Sequence, residues 1–74
     1  MPRLENWILH NFGTWSALEG DVFEDPRFAD GDRIHTSYLR AFSLDEKKAT
    51  TRNTVYALGR PAGGLPREED VVLV

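Results

Sequence analysis

The sequence contains no cysteine. That removes disulfides, thiolate metal ligands and thiol nucleophiles together, and it fits a reducing compartment without proving one. No apolar run approaches the ~20 residues that a membrane-spanning helix needs. The start, "MPRLENWILHNF", carries an acid and has no small-residue cleavage site, so no signal peptide is read there. The expected setting is cytoplasmic, with no membrane partner. Phosphate-cradling glycine loops and the G-x-S-x-G elbow are also missing. Lysine occurs only at Lys47 and Lys48, and histidine only at His10 and His35.

A chain of 74 residues is one domain near the low end of independent folding, burying only about 60% of its unfolded surface. Without disulfides, such a core relies on unusually good packing, a metal or a partner. The aromatics Trp7, Phe12, Trp15, Phe23, Phe28, Tyr38, Phe42 and Tyr56 read first as that core. The net charge of −3 is unevenly spread: Glu19 to Asp32 holds six acids and one Arg, whereas Arg33 to Arg60 holds six bases and two acids. Such halves pair across strands, are solvated, or face a charged partner.

The pattern is short strands with turn punctuation. "WSALEGDVF" alternates, with Leu18, Gly20 and Val22 on one face and Glu19, Asp21 and Phe23 on the other. Gly20 within a strand predicts a bulge or a close backbone approach. Asp25-Pro26 starts a turn, and Asp30-Gly31 predicts a type I′ hairpin with positive φ at both central residues. "RIHTSYLRAF" reads as one long strand bent near Ser37, and "ATTRNTVYALG" as a returning β-branched strand. The tail from Arg60 holds Pro61, Gly63, Gly64 and Pro66 before an apolar "VVLV". Pro66 followed by acids predicts a single helical turn.

The fold class read from this is all-β: a small antiparallel barrel or bent sheet of four to five strands, SH3-like in size. Residues 1–60 form a single β domain and 61–74 a tail, either docked as an edge strand or flexible. Trp7, Leu9, Leu18, Val22, Phe28, Ile34, Tyr38, Val55 and Leu58 are the expected core.

Chemistry-bearing groups are few. Asp25, Asp30, Asp32 and His35 are candidate cation ligands, but an EF-hand loop needs alternating oxygens and a bidentate Glu at its twelfth position, where "DPRFADGDRIHT" has Thr36. Zinc takes about four converging ligands, and His10 and His35 belong to different strands. His35 and Ser37 project from one strand face roughly 7 Å apart, too far for a nucleophile and its base. Thr36 and Ser37 are expected to satisfy backbone groups at a bend instead. No metal, cofactor or catalytic residue is expected, and the chain is not read as an enzyme.

"LENW", "LEGDVFEDPRFADGDRIHTS" and "TRNTVYALGRP" together resemble a family of small uncharacterised proteins from bacterial genomes, prophages and phages. Those share a Trp near the start, a G-x-V strand, a P-R-F-x-D-G turn, an I-x-T-S strand and a closing V-Y-x-L-G. The resemblance spans residues 4 to 61, implies a fold and a phage setting, and carries no activity. The tail after Pro61 departs from the pattern.

The functional expectation is a non-catalytic protein-interaction module, a phage or prophage accessory protein contacting a host or phage protein through Glu19, Asp21, Glu24, Asp25, Asp30, Asp32 and Arg33. One alternative is a nucleic-acid-binding barrel using Arg33, His35, Tyr38, Arg40, Arg52 and Arg60. A further one is a small acidic inhibitor of a host defence complex. Self-association through Val71–Val74 is also carried as an alternative.

Overall fold

The computed structural model describes residues 1–74. Its strands are β1 (Arg3–Asn11), β2 (Ser16–Phe23), β3 (Asp32–His35), β4 (Leu39–Ser43), β5 (Lys48–Thr51) and β6 (Val55–Leu58), followed by a single 3-10 turn at Glu68–Asp70. They form one six-stranded sheet in the order β3-β2-β1-β6-β5-β4. All neighbours are antiparallel except β1 and β6, which run parallel. No helix is long and apolar enough to cross a membrane.

The all-β expectation therefore holds, but the strand count is six and the sheet is mixed. Both long strand readings are corrected. "RIHTSYLRAF" splits into β3 and β4, which stand at opposite ends of the sheet with Thr36–Tyr38 between them. "ATTRNTVYALG" splits into β5 and β6 at a turn closed by Thr51 N–H donating to Thr54 O at 2.8 Å. β-Branched residues flank that turn closely, Thr50 and Thr51 before it and Thr54 and Val55 after it, so composition alone conceals it.

The short link between β3 and β4 shapes the whole molecule. Four residue steps reach at most about 14 Å, so the sheet curls until its two edges nearly meet. The edges do not pair, and no barrel closes. Instead the tail lies across the opening. Ala62 N–H donates to Trp7 O, Val72 N–H to Ser16 Oγ (2.9 Å) and Val74 N–H to Leu39 O (3.0 Å). Val71 packs against the core. These bonds tie the start of β2 to β4 through the tail, and they engage amides that pairing through Val71–Val74 with a second chain would need.

Inside the curl, Leu4, Trp7, Leu18, Val22, Ile34, Leu39, Ala49, Tyr56 and Leu58 form the core. Leu9 is half-buried, whereas Phe28 and Val55 of the expected core are exposed and Tyr38 is only partly covered. In β6 the strand alternation sends Tyr56 and Leu58 inward and therefore Val55 outward. Phe28 sits in the β2–β3 loop, where the Arg27 guanidinium lies over its ring.

That loop also corrects the type I′ expectation. Of Asp30 and Gly31, only Gly31 has positive φ, at +92°, and the connection runs over residues 24–31. Its centre is Asp25, buried, which accepts bonds from Arg27 Nε and Nη2 and from the Arg27 amide. The bulge expected at Gly20 is present. Glu5 pairs with Asp21 and Ile8 with Glu19, leaving Asn6 and Trp7 opposite Gly20 alone.

Candidate functional site

β1 and β2 are joined through residues 12–15, with Asn11 paired to Ser16. Phe12 N–H donates to Trp15 O at 2.9 Å, and Gly13 takes φ +92° while its amide donates to Asn11 Oδ1. This tight tip pushes both aromatics outward. Phe12 and Trp15 stack with centroids 4.4 Å apart and remain 55% and 37% exposed. His10 stacks with Phe12 at 6.1 Å. Trp15 also borders a shallow cleft of about 430 Å³, shared with Thr14, Thr36, Ser37, Tyr38, Arg52 and Val74.

The cleft floor is the β3–β4 crossover. Thr36 Oγ1 accepts from Leu18 N–H and donates to Ser37 O, and Ser37 Oγ accepts from the Arg52 amide. Both hydroxyls thus satisfy backbone groups at the bend.

Beside the tip, on the outer face of β1–β2–β3, lies a cluster of ionisable groups. The register sets Glu19 opposite Ile8 of β1 and opposite His35 of β3. Glu19 Oε1 lies 2.8 Å from His10 Nε2 and 3.3 Å from His35 Nε2, while Oε2 accepts from Arg33 Nε at 2.9 Å. Arg33 Nη1 also donates to Asp21 Oδ1 and to Asn6 O. One ligand atom each from His10, Glu19 and His35 lies within 4.8 Å of the others, so these are the residues able to hold a metal ion.

The acids picked out from the sequence are largely engaged within the chain. Glu19 and Asp21 hold Arg33, Glu24 pairs with Arg3, and buried Asp25 holds Arg27. Asp30 and Asp32 accept from the amides of Glu24 and Ala29. Asp25 is therefore corrected as an exposed contact: it is a structural anchor of its loop. The basic set is also dispersed. Arg33 and His35 belong to the Glu19 cluster, Tyr38 and Arg52 line the cleft, and Arg40 is exposed on β4. Arg60 is exposed too, and its amide donates to Glu5 Oε1.

These partners predict acid sensitivity. Glu5 is held low mainly by the Arg60 amide, Asp21 by Asn6 and then Arg33, and Asp25 by the Arg27 guanidinium. Arg33 and then His10 bring Glu19 down from 4.5 to about 2. Carboxyls depressed in the folded state contribute stability above their unfolded values and lose it as pH falls through the folded ones. The urea midpoint should thus be level near neutrality and decline as pH drops from 4.5 towards about 2. A midpoint unchanged across that interval would show that the pairs contribute nothing.

Sequence reasoning missed both features of this face. It grouped Phe12 and Trp15 with the other aromatics as core material, gave them no place in the expected core and no outward role, and separated His10 from His35 by strand. The shared face of Glu19 and Asp21 was readable from alternation. The convergence needed the order β3-β2-β1 and its register. No protein-family model, curated protein or solved structure matches the chain.

Proposed function

We propose that this protein is a non-catalytic interaction module that docks a protein partner on the β1–β2 tip and the adjoining cleft. The observation that carries this reading is the exposed Phe12–Trp15 stack beside Tyr38 and Arg52. Protein interfaces concentrate their binding energy in Trp, Tyr and Arg side chains that a partner desolvates. Two aromatics left in water by so small a chain gain most by being covered. The acidic stretch is a weaker contact surface, because its carboxylates already serve Arg3, Arg27, Arg33 and loop amides. Nucleic acid is disfavoured on related grounds: the net charge is −3, and Arg33 is neutralised by Glu19 and Asp21. The phage or prophage setting and the cytoplasmic location belong to the same proposal.

The test compares wild type with a Trp15→Ala, Phe12→Ala double variant as tagged baits. Each bait is first shown to be folded by circular dichroism. The double variant should lose about 2 kcal/mol, roughly 30-fold in affinity, for the protein that wild type retains. Undiminished capture would remove the tip from the interface. In parallel, single-stranded oligonucleotides at low salt should not bind, and binding that falls steeply with added salt would favour the nucleic-acid reading.

A further inference from the structure

We propose that His10, Glu19 and His35 form a binding site for a late first-row divalent cation, with zinc the best fit. It goes beyond partner docking and stands without it.

The geometry supplies the first argument. Both Nε2 atoms approach the same carboxylate oxygen, Glu19 Oε1, at 2.8 and 3.3 Å. A zinc ion takes imidazole nitrogen and carboxylate oxygen at about 2.0–2.2 Å, so an ion placed among these three atoms meets all of them after small ring movements. His35 can make such a movement because it is on the edge strand and its side chain is 71% exposed. His10 is held more firmly, with its ring against Phe12.

The second argument is the preparation of the carboxylate. Arg33 occupies Oε2 and leaves Oε1 facing the imidazoles, which favours monodentate ligation. The cost is a guanidinium close to a dication. Asp21 offsets it by lying 3.2 Å from Arg33 Nη1, and Glu19 and Asp21 together outweigh the one Arg.

Ligand chemistry then selects the ion. Two imidazoles and one carboxylate suit zinc, copper(II), nickel or cobalt, whereas magnesium and calcium require mostly oxygen ligands. Three protein ligands leave a position for water or an incoming group.

The experiment uses tag-free full-length protein, stripped with chelator and titrated calorimetrically with zinc chloride at pH 7.5. Cobalt(II) absorption serves as a second readout. One equivalent of zinc should bind saturably, and cobalt should give the intense visible bands of a four-coordinate site. Magnesium should give no heat. His35→Gln removes an exposed side chain and should leave the fold intact while weakening zinc at least ~10-fold. His10→Gln and Glu19→Gln should do the same, with folding checked by circular dichroism. The proposal is overturned if zinc shows no saturable binding, or if its affinity is unchanged in His35→Gln. Because no docking partner is present, the outcome is independent of the interaction reading.

Discussion

Replacing Trp7 by Ala is expected to cost about 4 kcal/mol of folding stability. A domain of 74 residues has only roughly 4–11 kcal/mol in total, so the variant should lose from about a third to all of its stability. The size of the effect follows from position. Trp7 is 2% exposed, meets Phe42 edge-on at 6.0 Å, and donates its indole N–H to Gly59 O at 3.0 Å. Its backbone carbonyl accepts from Ala62, and it bridges to Pro61 where the tail begins. Truncation thus opens a cavity, leaves a carbonyl beneath the tail without its partner, and loosens the start of the strap across the sheet. Trp7→Phe should retain most of the packing and lose chiefly the indole bond, at about 1–2 kcal/mol. Urea unfolding followed by far-UV circular dichroism measures both. A loss under ~1 kcal/mol for the Ala variant would mean that Trp7 is not the keystone of the core.

The second large effect is expected at Gly20. A Cβ there would stand 3.1 Å from Trp7 Cβ, 3.2 Å from Glu5 O and 3.3 Å from Trp7 Cα. Two of those neighbours are backbone atoms of the β1 bulge, which cannot step aside alone. Gly20 has no left-handed φ, so space rather than conformation decides the outcome. Alanine asks β1 to yield by a few tenths of an ångström and should cost about 1 kcal/mol, partly offset by lost chain entropy in the unfolded state. Valine adds two further methyls to a filled site and should cost about 3 kcal/mol. The same urea series checks both, and a Val variant as stable as wild type would contradict the bulge packing.

How much of this was legible beforehand depended on whether a feature was local. The alternation in β2 and the bulge at Gly20 were readable because each rests on a few adjacent residues. Thr36 and Ser37 were readable as backbone partners at a bend for the same reason. The strand count was not, because strand-favouring residues flank both breaks closely, Thr36 and Tyr38 around Ser37, and Thr51 and Thr54 around Arg52 and Asn53. Nor was the parallel pairing of β1 with β6, which joins residues more than fifty positions apart. The candidate site shows the same division. Alternation assigns Glu19 and His35 each to a strand face, and only the order β3-β2-β1 brings them together with His10. Asp25 shows the converse error, since an acid in a turn-rich stretch reads as solvated until Arg27 is seen folded onto it.

In the proposed function, recognition belongs to the β1–β2 tip and its cleft, and not to the acidic stretch. Amide and indole chemical-shift mapping of ¹⁵N-labelled protein against the partner retained by the wild-type bait tests it most directly. The largest shifts are expected at Phe12, Gly13, the Trp15 indole, Tyr38 and Arg52, with residues 24–32 little changed. Shifts concentrated in 24–32, with the Trp15 indole unmoved, would contradict it.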